Sequence, residues 1–287
     1  MVVESDAKRR ALILGATAFA LVTASPVHAA PDRIAEIEQR HGGRLGVFVR
    51  DTGSGRALSH RADERFLLNS TFKGLLAAFA LAQVDAGRER LSRQIAYGAV
   101  DLLPASPVTT AHVSQGRLSI DELCAAILRV SDNAAANILM KHLGGPEALT
   151  TFVRASGDKA TRIDRYETMA GERSGLLDTT TPRAIAMTVQ NLLLGQVLTP
   201  QSRDRLERWM RQNQVGARRL RASFPPDWLT ADRTGTGDGE CNDYALARPH
   251  GRAPLVMAVY YEAPGEDMTT QEAALREVGK AIVAWLA

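Results

Sequence analysis

Period-two hydrophobic patterning occurs only near the two ends of this chain, and that separation is what most limits its fold. Near the start, Leu45, Val47 and Val49 alternate with Gly46, Phe48 and Arg50, and residues 51–55 supply a turn before Ala57 and Leu58. Strand character returns only at Leu229 to Thr234, Asp243 to Ala247 and Leu255 to Tyr261. Between Phe66 and Arg211 the signals are mostly helical: Ser119-x-x-Glu122 is a capping box that opens a helix through Leu123, Ile127 and Val130, and Thr181-Pro182 starts another that runs to Gly195. Strands so distant in sequence form one sheet only if the chain returns, so the ordering predicts an antiparallel sheet built from both ends with a helical insert between them. Two further helices bracket the whole. Asp32 to Arg40 places Ile34 and Ile37 on one face and stops at Gly42-Gly43, and a last helix is predicted to open at the capping box Thr269-x-x-Glu272, with Ala274, Leu275, Val278, Ala281, Ile282 and Trp285 on one stripe. A cleft is expected where sheet and insert meet, a common place for a ligand.

The first 29 residues stand apart from this plan. Lys8-Arg9-Arg10 precedes an apolar run from Ala11 to Val22, and the small residues around Ser25 to Ala30 suit a peptidase, so the segment reads as an export signal cut near Ala29. The run is shorter than the roughly 20 residues a membrane-spanning helix needs. Adjacent Arg9 and Arg10 leave the twin-arginine route open. The destination is then periplasmic or extracellular, with no membrane anchor after cleavage. With 35 Lys and Arg against 32 Asp and Glu, the net charge of +3 forms no basic block, which argues against a nucleic-acid partner. The six histidines are scattered with no pair at helical spacing, so no metal is expected. Nucleotide loops and paired Cys-x-x-Cys motifs are absent from the sequence, and no cofactor is expected.

What remains is Ser-x-x-Lys, which puts a hydroxyl and an amine three residues apart on one helical face. An amine held there neutral could take the serine proton. The pattern occurs three times, at Ser5/Lys8, Ser70/Lys73 and Ser156/Lys159. The first lies in the signal segment, and the third contains Gly157-Asp158, which suits a turn. Ser70 instead heads the apolar run Leu75 to Leu81, so it is predicted at the N-terminus of a buried helix, where free N–H groups favour an oxyanion. On its own the pair reads more readily as a helix cap with a lysine reaching water.

Other segments change that balance. Ser131-Asp132-Asn133 follows a helix, Glu167 sits in a polar loop after Arg162-x-Asp164-Arg165, and Arg233-Thr234-Gly235 lies on a predicted strand. Together and in this order they resemble the signature of the class A serine β-lactamases. Residues 101–107, 131–137, 178–182, Trp209-Met210 and 228–237 are similar to further stretches of that family, and the resemblance spans roughly residues 31–287. It implies an α/β (α+β) two-part fold of the serine β-lactamase and D,D-peptidase kind. A five-stranded antiparallel sheet flanked by the terminal helices would occupy residues 30–62 and 212–287, and an all-helical subdomain residues 63–211. The activity implied is hydrolysis of penicillin- and cephalosporin-type β-lactams by a monomer, through a serine acyl-enzyme, giving antibiotic resistance.

By this resemblance Ser70 is the nucleophile and Lys73 its neighbouring amine. Ser131 passes a proton to the departing ring nitrogen, and Glu167 drives hydrolysis of the acyl-enzyme. The backbone N–H groups of Ser70 and Thr236 form the oxyanion hole. Asn133 binds the substrate's side-chain amide, while Arg233, Thr234 and Gly235 receive its carboxylate. Arg219 aligns with a second carboxylate-binding arginine of some members, with Arg218 and Arg221 as competitors and a solvated basic turn as the alternative. The family's Glu-x-x-Leu-Asn becomes Glu167-Thr-Met-Ala-Gly171, so the asparagine that helps hold the hydrolytic water is missing. The segment from Glu167 to Asp178 is also about two residues short. Slower deacylation of some substrates is expected, with an Arg165–Asp178 ion pair still closing the loop. Ala105 stands where an aromatic residue is common, and neither Asn69 nor Ala77 can supply the disulfide partner of some members, so Cys124 and Cys241 are expected to be free. A D,D-peptidase shares the serine, lysine and strand motifs but not the glutamate, and a non-catalytic peptidoglycan-fragment binder is the other alternative.

Overall fold

The computed structural model describes residues 30–286, and the expected signal segment lies outside them. The helices are α1 (Ala30–His41), α2 (Phe72–Asp85), α3 (Pro107–Ala111), α4 (Ile120–Arg129), α5 (Asn133–His142), α6 (Gly145–Ala155), α7 (Pro182–Leu194), α8 (Pro200–Arg211) and α9 (Met268–Leu286). The strands are β1 (Arg44–Asp51), β2 (Ala57–His60), β3 (Phe66–Leu67), β4 (Gln94–Ala96), β5 (Arg117–Ser119), β6 (Thr179–Thr180), β7 (Leu229–Thr236), β8 (Glu240–Arg248) and β9 (Leu255–Glu262). Five strands form one antiparallel sheet in the order β2-β1-β9-β8-β7. β9, near the end of the chain, therefore pairs with β1, near its start. The segment expected to be all helix also contains the two-stranded pairs β3-β6 and β4-β5.

Strand alternation sorts side chains into two cores. Leu45, Val47 and Val49 of β1, Cys241, Ala245 and Ala247 of β8, and Leu255, Met257, Val259 and Tyr261 of β9 pack with α1 and α9. The intervening Phe48, Tyr244, Leu246, Val256, Ala258 and Tyr260 face the opposite way, into the core shared with α2, α4, α5 and α7. Because both faces are covered, β1 and β9 read as nearly continuous apolar runs rather than as half-buried strands. β8 begins three residues earlier than its patterning suggested. Polar Asn242 hides that start: it is fully buried, and its amide donates to Leu67 O (2.9 Å).

The expected box at Ser119/Glu122 forms, with Ser119 Oγ accepting from Glu122 N, and the expected helix start at Thr181-Pro182 is capped by Thr181 Oγ1 accepting from Ala184 N. The box at Thr269 does not form. Asp267 Oδ1 takes the Thr270 N–H (2.8 Å), and Glu272, almost fully buried, turns to Arg218 Nε at 3.0 Å, a charge-assisted contact that outcompetes a backbone N–H.

Cys124 lies in the helical core and Cys241 in the terminal-helix core, on opposite sides of the sheet, and both are free. Burial raises both thiols, Cys241 to about 12. Thiol titration is expected to find two reactive groups in denatured, unreduced protein and almost none in the folded state, because a buried protonated thiol is a poor nucleophile. Zero thiols after denaturation would contradict this pairing of facts.

Candidate active site

Ser70 sits in a 3-10 turn, Asn69–Thr71, that runs directly into α2. It is not a helix cap: α2 starts without a side-chain cap, and Ser70 Oγ accepts from Lys73 Nζ (2.9 Å) and donates to Glu167 Oε1 (3.3 Å). Nor does Lys73 reach water, since it is 0% exposed. Helical spacing aims it back over Ser70. Its Nζ also lies 2.9 Å from Ser131 O, 3.3 Å from Ser131 Oγ, 2.5 Å from Asn133 Oδ1 and 3.0 Å from Glu167 Oε1. Three protons serve more acceptors than that number, so the bonds are shared. Desolvation pulls the Lys73 ammonium down to about 8, with Arg233 adding to the depression and the Glu167 carboxylate opposing it. A buried ammonium costs several kcal/mol unless paired. Here the pairing comes from Glu167 and the acceptors around it.

Ser131 occupies the turn between α4 and α5 with φ of +62°, a left-handed conformation that costs a non-glycine residue about 1–2 kcal/mol. Asp132 holds that turn. It is fully buried, caps α5 through Ala135 N (2.8 Å), and accepts from Val108 N, Thr109 N and Thr109 Oγ1, each at 2.9 Å. The outcome is that both the carbonyl and the hydroxyl of Ser131 face Lys73. Asn133 spans the gap to the opposite wall, where its Nδ2 donates to Pro104 O (3.0 Å) beside exposed Ala105.

Glu167 is carried on the loop before β6, and two devices place it. Asn137, one helical turn beyond Asn133, accepts from Glu167 N (2.9 Å) and donates to Glu167 O (2.7 Å), fixing the backbone at both polar atoms. Sequence reasoning missed this residue; the i, i+4 spacing from Asn133 was the available signal. Asp178, nearly fully buried, takes Arg165 Nε (2.5 Å) and the N–H groups of Asp164 (2.8 Å) and Arg165 (3.0 Å), so the expected ion pair closes the loop.

The fourth wall is the end of β7. Arg233 is fully buried and its Nη2 donates to Ser131 Oγ (2.6 Å), while desolvation lowers the guanidinium to about 10. Gly235 is required by proximity: a Cβ there would lie 2.7 Å from Leu68 O and 3.1 Å from the Thr71 methyl, so any side chain would push the strand away from the Ser70 turn. Thr236 follows at the strand's exposed end. The alternative of a solvated basic turn fails for Arg219, which is 1% exposed. Its Nη1 donates to Gly235 O and Asn242 O (2.8 Å each), and its Nη2 to Thr236 Oγ1 (2.6 Å). Arg218 takes the exposed position instead, and Arg221 pairs with buried Asp232. Among the described residues no cluster of three or more His, Cys, Asp or Glu could hold a metal.

The sequence profile of the Beta-lactamase enzyme family matches residues 29–286. A crystal structure of a β-lactamase from Burkholderia vietnamiensis superposes with a TM-score of 0.89 at 59% identity, covering 91% of this chain and 98% of that one. The chain belongs to the class A serine β-lactamases. An ancestral class A β-lactamase superposes with a TM-score of 0.87 at 49% identity over 89% of this chain and 99% of its own. The carbapenem-hydrolysing β-lactamase KPC of Klebsiella oxytoca is 42% identical over 91% of this chain and 87% of its own length. Membership of the class A β-lactamases makes this chain an enzyme that hydrolyses β-lactams and removes the D,D-peptidase and ligand-binding-only alternatives.

Proposed function

We propose that Ser70 attacks the β-lactam carbonyl while Glu167 accepts its proton and Lys73 remains an ammonium. The observation that carries this is the geometry around the hydroxyl: Ser70 Oγ lies 2.9 Å from Lys73 Nζ and 3.3 Å from Glu167 Oε1, and with Lys73 protonated the carboxylate is left as the acceptor for the serine proton. The developing oxyanion would sit against the backbone N–H groups of Ser70 and Thr236, a contact worth about 10²–10³ in rate. As the ring C–N bond breaks, Ser131 gives its proton to the nitrogen and is resupplied from Lys73, 3.3 Å away. Glu167 then activates the water that cleaves the ester. Asn133 offers its amide to the substrate side chain, and the substrate carboxylate meets Arg233 and the Thr234 hydroxyl beside Gly235. Arg219 acts from behind the strand by orienting the Thr236 hydroxyl.

A chromogenic cephalosporin tests the activity, with steady turnover expected and a single stoichiometric burst against it. The proton assignment has its own test. Lys73 is charged below about 8, so the stopped-flow acylation rate constant is expected to hold through neutral pH and fall as pH rises past that value. A rate that instead climbs through pH 8 would give the base role to the neutral amine. We further read the enzyme as an exported monomer. The charged, apolar and small-residue order of residues 1–29 supports export, and light scattering after size exclusion checks the mass, with a dimer overturning it.

A further inference from the structure

The register of β8 against β9 sets Glu240 directly opposite Glu262. Both are largely enclosed: Glu240 is 8% exposed and the Glu262 side chain 13%. Like charges facing each other across two strands are destabilising unless cations answer them. Burial raises the Glu240 carboxyl, Glu262 adds to the rise, and Arg173 opposes it. Glu262 itself takes two arginines. Arg44, on the next strand, donates to its Oε2 from Nη2 (2.6 Å) and Nε (3.1 Å). Arg173, which pairs with its Oε1, comes from the loop that carries Glu167.

That loop has few other ties. Asn137 grips the backbone of Glu167, and Arg165 with Asp178 closes the neck. Between them Met169 and Leu176 are 57% and 56% exposed, so the middle of the loop buries little apolar surface. Arg165 Nη2 donates to Glu172 O (2.5 Å), which stiffens the backbone just before Arg173. Among the described residues, Arg173 is the only side chain from 168–177 with a hydrogen bond or ion pair to the five-stranded sheet.

We propose that Arg173 is a positioning residue for deacylation: by pairing with Glu262 beside Glu240 it latches the middle of the loop to the sheet and keeps Glu167 in place over the Ser70 ester. This rests on the reading of Glu167 as the deacylating base. The latch differs from the neck in being partly solvated, since the Arg173 side chain is 47% exposed while those of Arg165 and Asp178 are 15% and 2% exposed. Dissolved salt therefore weakens the latch and leaves the neck almost untouched. Deacylation suffers more than acylation when Glu167 drifts. A neutral Lys73, 2.9 Å from Ser70 Oγ, can take the proton in the first step, whereas the second has Glu167 alone as its base.

Single-turnover stopped flow with a penicillin reads both steps in Arg173→Gln. Deacylation is expected to fall about 2- to 5-fold, the range that a partly exposed ion pair supports, with acylation less affected. Raising the ionic strength to about 1 M should slow wild-type deacylation toward the variant's rate and leave the variant's unchanged. Arg173→Lys, which keeps the charge, should retain most of the wild-type rate. Arg173→Glu, which sets a third carboxylate against the other two, should be slower than Arg173→Gln. Unchanged deacylation in Arg173→Gln, equal slowing of both steps, or the same salt response in variant and wild type would each overturn the proposal. If Glu167→Gln deacylates normally, the underlying reading of Glu167 fails instead, and the two failures are distinguishable.

Discussion

Glu167→Gln is expected to leave the enzyme stranded as an ester on Ser70. Loss of general-base help lowers turnover by about 10²–10⁴. Acylation survives for a reason visible in the site. The Glu167 carboxylate is the group that keeps Lys73 from losing its proton more easily still, so its removal moves the amine further below its value of about 8. A larger neutral fraction at pH 7 can then take the serine proton that Glu167 no longer accepts. Intact-protein mass spectrometry should therefore show one equivalent of bound penicillin persisting for minutes, where the wild type shows none. Unchanged turnover, or a variant that never acquires the adduct, would unseat the assignment.

Ser70→Ala should have the larger effect on rate and almost none on the fold. Removing a nucleophile that works with its base as a unit costs on the order of 10⁶. Structurally, Lys73 loses one acceptor but keeps Ser131 O, Ser131 Oγ, Asn133 Oδ1 and Glu167, so its charge stays paired. Only a part-buried hydroxyl is removed. The melting temperature should stay within about 2–4 °C of the wild type, the shift that roughly 1 kcal/mol produces in a protein of more than about 150 residues. A variant that still forms a penicillin adduct, or one that melts far earlier, would mean that Ser70 is a structural residue.

The sequence carried the outline well because the outline depends on local patterning. The run Leu75 to Leu81 distinguished Ser70-x-x-Lys73 from its two copies, and the third copy behaves as its glycine suggested: Ser156 ends α6 and Gly157 turns at φ +99°. Strand character in the sequence located β1, β7 and β9 to within about two residues at either end. What stayed hidden depends on where distant segments meet. Asn137 is an ordinary helical asparagine until the Glu167 loop folds across it, and Asn242 conceals a strand start because its amide is satisfied by Leu67 from another element. The resemblance singled out Arg219 from its neighbours Arg218 and Arg221, but only the folded sheet shows that it is enclosed and that its contacts are with Gly235 O, Asn242 O and Thr236 Oγ1. At the last helix, the Thr269 box matched a motif that Asp267 supplies better, since Glu272 had already been claimed by Arg218.

The pairing of β9 with β1 also bears on when the enzyme becomes active during its synthesis. Thr236 is held by β7, β7 by β8, β8 by β9, and β9 closes on a strand made at the beginning. Ser70, Lys73 and Glu167 can all be outside the ribosome while β9 and α9 are still unmade, and Thr236, proposed to complete the oxyanion hole, is then not yet fixed against Ser70. Contacts spanning most of the chain form slowly compared with local ones. Catalytic competence is therefore expected to switch on abruptly and late, once β9 has paired with β1, and a chain truncated before residue 255 should be catalytically silent.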